Sequence, residues 1–318
     1  MPASESLYAD NLPGRTLWLK GEEFLFCSGT AYLGIPHNRD FRERLQEGMG
    51  IYGTNYSSSR ISNLQLQVFE EAEDFLASYT GAAEALTFSS GLLAGQVLVQ
   101  ALQDSGRFIY APGTHPAVWR GGGDAPESGN KFEEWAERLP QEVLYMPEQH
   151  LVLVCNSLDP LLARRHSFGW LASLPSEKQY TLILDDSHGF GLTGTDGAGI
   201  YSQLPHVPHV PHVRFAVVSS LGKALGIPAG VVLGDRELMA ELRATPFFGG
   251  ASPEVPAYLY AFLHSQAIYK EARQRLFRNI AYLSSGSSGR SCSAVSSISR
   301  CSARRSTRFA RICRSSRC

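Results

Sequence analysis

Thr181-Leu182-Ile183-Leu184-Asp185-Asp186-Ser187-His188-Gly189 is the stretch on which the fold turns. Thr181 to Leu184 is a short, nearly unbroken apolar run, and it stops abruptly at two acids. A strand that is apolar at successive positions has both faces covered, which is the signature of a parallel sheet inside an α/β layer structure. Runs of the same kind recur on either side: Ala85–Phe88, Arg107–Ala111, Leu151–Cys155, Phe215–Val218 and Gly230–Leu233. Helical stretches separate them. Leu66, Phe69, Ala72, Phe75, Leu76 and Tyr79 recur at three to four residues and stop at Gly81, which predicts an amphipathic helix. A second, more apolar helix opens at Ser89-Ser90-Gly91 and runs to about Leu102. Residues 41–49 read as a short helix, 51–63 as a loop, and Pro256–Phe277 as one long helix. Thr16 to Leu25 alternates loosely, as a short hairpin does. The expected architecture is α/β with a mostly parallel central sheet and helices on both faces.

The 318 residues suffice for one large domain or two ordinary ones, and 43% hydrophobic with 19% charged residues is a globular balance. No apolar run reaches the length of a membrane span. Met1 to Asp10 lacks the basic cluster of a secretory leader. The net charge of −1 conceals an asymmetry, because 286–318 holds eight Arg and no acid, leaving 21 basic against 30 acidic residues elsewhere. That acidic body offers no electrostatic footprint for nucleic acid. Cys27 and Cys155 lie far apart in apolar runs, as reduced thiols of a cytoplasmic protein do.

Two segments stand apart. Pro205–Val213 repeats Pro-His-Val, the three-residue period of a polyproline II helix, which could align His206, His209 and His212; a surface loop is the default and a metal site the alternative. From residue 284 onward the chain is rich in Ser, Arg and Cys without any period. It reads as disordered or non-native sequence, with a basic RNA-binding tail as the alternative.

Three strand-end elements can carry chemistry. Lys223, in Ser220-Leu221-Gly222-Lys223-Ala224, follows an apolar strand, where α/β ligand sites form; taken alone it reads as a solvated lysine, with the ligand-site lysine as the alternative. Asp185 emerges directly from its strand, with His188 three residues on; an acid pair there could also cap a helix or bind Mg²⁺. Ser90, Gly91 and Leu92 open a helix whose N–H groups suit an anion, although Ser caps many helices.

Taken together these residues resemble the fold-type I pyridoxal 5'-phosphate (PLP) enzymes, and within them the α-oxoamine synthases. The likeness spans roughly residues 20–283. Ala31-Tyr32-Leu33-Gly34-Ile35 resembles that family's entry segment. Tyr52–Glu70 with Phe88–Gly95 resembles its Gly-rich loop, helix and phosphate turn. Asp185–Gly191 resembles its Asp-x-Ala-His-x-x-Gly run, and Ser220–Gly226 its lysine run. The resemblance implies a three-layer, aspartate aminotransferase-like large domain. It implies that Lys223 carries PLP, that Asp185 faces the ring nitrogen, that His188 lies near the ring hydroxyl and that His115 stacks on the ring. Ser90, Gly91, Leu92 and Ser220 would seat the phosphate, and Ser157 would lie close by. Lys223 and His188 would be the catalytic proton carriers. The implied reaction is decarboxylative condensation of an amino acid with an acyl-CoA in a homodimer. Another fold-type I activity, such as amino transfer, and an inactive dimerisation partner are the alternatives. Thr30, Asn63, Gln67 and Gly250 depart from the family's usual residues. The implied organisation is an N-terminal arm over 1–40, a PLP-binding domain over 41–250, a helix over 251–283 leading to a small domain, and the tail from 284. The family's substrate-gripping Arg is assigned to no residue here.

Overall fold

Each central strand shows two faces that pack differently. In β5 (His150–Asn156), Leu151, Leu153 and Cys155 join one apolar cluster while Val152 and Val154 join another. In β8 (Gln179–Asp185), Leu182 and Leu184 fall on the first side and Ile183 on the second. Both sides are dry, which is why the runs read as continuously apolar. The computed structural model describes residues 8–19, 21–124, 131–206 and 210–285.

The described residues divide into two units, one within 31–277 and one made of those in 8–30 and 278–285. Within the smaller, the described hairpin pairs β1 (Thr16–Leu19) with β2 (Glu22–Leu25) antiparallel, Thr16 facing Leu25. Most of the Ser/Arg/Cys-rich tail lies outside the described residues, as does part of the Pro-His-Val repeat.

The larger unit is built on six strands. With β3 (Glu84–Phe88), β4 (Arg107–Tyr110), β9 (Val213–Ser220) and β10 (Gly230–Gly234), the order is β3-β10-β9-β8-β5-β4. The pairs β4–β5, β5–β8 and β8–β9 are parallel, and β10 runs antiparallel to both neighbours. A small ladder, β6 (Leu158–Asp159) with β7 (Arg164–Arg165), follows β5. One face carries α3 (Gly91–Ala101) and α5 (Arg236–Arg243), whose Val97, Leu98, Leu238 and Leu242 are buried there. α6 (Pro246–Gly250) adds Phe248 to that layer. The other face packs Phe41 of α1 (Arg39–Tyr52), Leu76 of α2 (Gln67–Thr80), Trp135 of α4 (Phe132–Leu144), Phe262 of α7 (Pro256–Leu263) and Tyr269 of α8 (Gln266–Ser285). This is the three-layer, mostly parallel α/β arrangement expected from the strand pattern.

Several boundaries differ from the sequence expectation. The helix expected over 41–49 runs from Arg39 to Tyr52, because the Asn38 side chain accepts the Phe41 N–H at 2.8 Å and Gly53 ends it at φ +72°. The single helix expected over 256–277 is two. After Leu263 the backbone turns at His264, and Ser265 starts α8 by accepting the Tyr269 N–H at 3.0 Å. The Gln266 side chain donates back to the Phe262 carbonyl at 2.7 Å, and the buried Tyr269 hydroxyl donates to the Leu225 carbonyl at 2.9 Å. Tertiary anchoring rather than Pro or Gly breaks the helix, so its periodicity carries no mark of the break.

Candidate active site

Parallel strands β8 and β9 finish side by side, and the candidate site residues Asp185, His188, Ser220 and Lys223 lie at or just past their carboxyl ends. Asp185 is the last residue of β8, opposite Asn156 of β5 and Val218 of β9. It is buried, and one carboxylate oxygen accepts the Ser187 N–H at 2.9 Å. Asp186 points the other way, into a fully buried cradle. It accepts the Ser157 hydroxyl at 2.5 Å and the Ile200 N–H at 2.8 Å. Gly189 and Gly199 line that cradle, where a Cβ would come within 2.1 and 2.2 Å of the Asp186 oxygens. Burial pushes the Asp186 carboxyl up to about 7 against the lowering effect of those hydrogen bonds. The Ser187 hydroxyl then accepts the Ser220 N–H at 2.9 Å and so ties the two strand ends together.

Lys223 follows β9 by three residues. Its Nζ lies 3.0 Å from His188 Nε2, and His188 Nδ1 lies 2.8 Å from the Tyr32 hydroxyl. Burial lowers the Lys223 pKa, and Asp185 opposes that shift. Burial also drives the His188 ring down to about 4, helped by Lys223 and His115 and opposed by Asp185. The site therefore holds a neutral imidazole against an amine that gives up its proton more readily than an exposed lysine.

The α3 N-terminus closes a third side. Ser90 is its N-cap, its hydroxyl accepting the Leu93 N–H at 3.1 Å. A Cβ on Gly91 would lie 2.5 Å from Ser220 Cβ, so only glycine lets the helix start press against the end of β9. Ser90, Gly91 and Ser220 thus meet at one point. Leu92 belongs to the same helix turn, but its side chain is exposed. His115 caps the short turn Pro116–Val118 by accepting the Ala117 N–H on Nδ1 at 3.1 Å. The Asn156 side chain donates to the Gly113 carbonyl at 2.7 Å, fixing that loop over the end of β5. The Ser157 hydroxyl is taken up by Asp186.

Tyr32 and Asp186 contact the candidate site residues His188 and Ser157, and sequence reasoning did not single them out. Tyr32 lay in a quoted motif, but its partner is 156 residues away. Asp186 carried a signal in hindsight, since adjacent residues leaving a strand diverge to opposite sides. Among the described residues, no cluster of His, Cys, Asp and Glu is arranged to hold a metal ion.

Residues 128–310 match the family model of aminotransferase class I and II, more than half of the chain, and the chain belongs to that family. An 8-amino-7-oxononanoate synthase of Aliivibrio fischeri is 24% identical over 268 residues, covering 82% of this chain and 67% of the relative. Among solved structures, a serine palmitoyltransferase variant from S. paucimobilis with bound PLP-myriocin aldimine superposes with a TM-score of 0.72 at 18% identity, covering 88% of this chain and 72% of that one. An 8-amino-7-oxononanoate synthase from Francisella tularensis gives 0.62 at 20% identity, covering 81% and 73%. The fold is that of the fold-type I PLP-dependent transferases.

Proposed function

We propose that this chain is a PLP-dependent acyltransferase that condenses an amino acid with an acyl-CoA thioester and releases CO₂. One observation carries the reading: an amine of lowered pKa, a neutral imidazole, a buried carboxylate and a helix N-terminus converge at the ends of adjacent parallel strands. The donor set fits PLP. Lys223 supplies a nucleophilic amine for the aldehyde, Asp185 a carboxylate for the pyridine nitrogen, and Ser90, Gly91 and Ser220 a seat for the phosphate. His115 would lie against the ring and His188 near its hydroxyl. The 8-amino-7-oxononanoate synthase and serine palmitoyltransferase relatives support the condensation chemistry.

Bound PLP supplies an electron sink for the amino acid's α-carbon. The residues supply the rest. Asp185, at the carboxyl end of β8, would stand opposite the ring nitrogen as its carboxylate partner. Lys223 would take the α-proton on Nζ and later return one to the product, with His188 hydrogen-bonded to that nitrogen. The tie between Ser187 and Ser220 keeps Asp185 and Lys223 from drifting apart.

Incubating the protein with PLP, an amino acid and an acyl-CoA should release CoA and CO₂ together. Lys223→Ala should abolish that release and the visible absorbance of lysine-bound PLP. An unchanged band in Lys223→Ala would remove the lysine from its role. The aminotransferase family match favours amino transfer as the second reading. Keto-acid-dependent amino transfer without CoA release would establish it. The same reading places the enzyme in the cytoplasm as a homodimer. No helix among the described residues is long and apolar enough to cross a membrane, and the two described cysteines are free thiols.

A further inference from the structure

Tyr32 has no part in the chemistry above, yet it touches the residue that touches Lys223. Its hydroxyl sits 2.8 Å from His188 Nδ1, and the opposite ring nitrogen sits 3.0 Å from Lys223 Nζ. The three groups form one hydrogen-bonded chain from a partly exposed phenol to the site's amine. We propose that Tyr32 is a positioning residue: its hydroxyl selects which nitrogen of His188 carries the proton, and thereby relays protons between solvent and Lys223.

Donor and acceptor capacity limits how the three groups can bond. A phenol both donates and accepts, and a neutral imidazole has one N–H and one lone pair. An ammonium can only donate, whereas an amine also has a lone pair and can accept. Two chains follow: the first is open only to the amine, the second to the ammonium and to the amine as well. In the first, Tyr32 donates to Nδ1 and Nε2–H donates to Nζ. In the second, Nζ donates to Nε2 and Nδ1–H donates to Tyr32. Passing from the first to the second moves the phenol proton to Nδ1 and the Nε2 proton to Nζ. Solvent then restores a proton to the phenolate, so one proton enters and one arrives at the amine. Loss of a proton from Lys223 runs the same steps backwards. The completed transfer leaves the imidazole neutral, which matches burial and Lys223 holding its pKa near 4.

The contact is anchored on both flanks. Leu33 and Ile35 are buried immediately after Tyr32. Ile35 packs on the lysine turn itself: at Gly226, φ +67°, an added Cβ would lie 2.9 Å from Ile35 Cβ. The segment bearing Tyr32 is thus fastened three residues from Lys223 in sequence. The other charged or titratable groups acting on His188 are Asp185 and His115. Asp185 accepts the Ser187 N–H and His115 Nδ1 the Ala117 N–H, while the two ring nitrogens of His188 meet Tyr32 and Lys223.

The inference rests on the PLP reading only for its catalytic consequence, so the test has two arms. In PLP-free protein labelled with ¹⁵N-histidine, and assigned with His188→Gln, the His188 ring should change tautomer as Lys223 titrates. In Tyr32→Phe that change should disappear while the melting temperature stays close to wild type. An identical tautomer profile in the two proteins overturns the proposal whatever the enzyme does. In the PLP-loaded enzyme, Tyr32→Phe should lower kcat by roughly 10- to 100-fold, with KM for the amino acid little changed. If Tyr32→Phe fails to fold, 3,5-difluorotyrosine at position 32 keeps the shape and acidifies the phenol. It should then shift one limb of the kcat–pH profile to lower pH, and an unmoved profile overturns the relay. If wild type shows no condensation, the first arm still decides the role of Tyr32.

Discussion

Asp185 and Asp186 are neighbours with opposite environments, and the second makes a pH prediction. Asp186 is raised to about 7 by burial, so between the ordinary carboxylate value and 7 the folded state binds more protons than the unfolded one. Stability from this group is therefore greatest at low pH and falls as pH rises towards 7. The penalty above 7 is on the order of 4 kcal/mol. His150, His166 and His188 are held below their ordinary values by burial, so they push the other way and cost stability as pH falls through the unfolded histidine value. The clean observable is consequently a difference. Relative to wild type, Asp186→Asn should gain unfolding free energy between pH 4 and pH 8 in urea titrations. A pH-independent difference would mean that the carboxyl is not the titrating group. At this scale the sequence was informative where a residue type sits at a strand end, as with Asp185 and Lys223. It was silent on Tyr32, because nothing local to residues 30–35 records a histidine met only after the chain has folded.

Between elements, the buried charge cluster around Arg60 joins pieces that no periodicity connects. Arg60 bonds Glu73 of α2 at 2.8 Å and Glu254, ahead of α7, at 3.1 Å. Thr87 of β3 bonds both carboxylates, and the Arg60 guanidinium lies 4.4 Å from the Phe69 ring centroid and 5.3 Å from that of Phe248. Glu254 is raised by burial, with Arg60 and Thr87 opposing. Removing the cation leaves two carboxylates sharing one hydroxyl in a dry site. Arg60→Met should therefore cost about 3–5 kcal/mol in chemical denaturation. Adding Glu254→Gln should return part of that loss, and a purely additive double variant would mean that the pair does not couple. The helices were readable wherever an apolar stripe faced the sheet, as in α2 and α3. The α7–α8 break was not, since Gln266 and Tyr269 set it through contacts with Phe262 and Leu225.

For the molecule as a whole, the alternation of covered strands and helices was enough to read three layers, because a strand dry on both faces leaves that pattern in the sequence. The surface is less legible. The segment Phe247–Gly250 divides between core and surface. Phe248 is buried against Phe88 at 6.0 Å, whereas Phe247 is 45% exposed. Beside it, Ile61 packs on Gly249, where an added Cβ would lie 2.7 Å from Ile61 Cδ1, and the Ser59 hydroxyl donates to the Gly249 carbonyl at 2.5 Å. That fixes an apolar loop on α6, with Ile61 68% and Leu64 71% exposed. Large apolar side chains held rigidly in water mark a surface built to be covered, and the proposed homodimer supplies the cover. The protein should accordingly elute as a dimer by light scattering. Ile61→Glu with Leu64→Glu should shift it towards monomer while far-ultraviolet circular dichroism and Asp186-dependent pH behaviour stay unchanged. A wild-type monomer, or a double variant that remains dimeric, would assign the patch to something other than self-association.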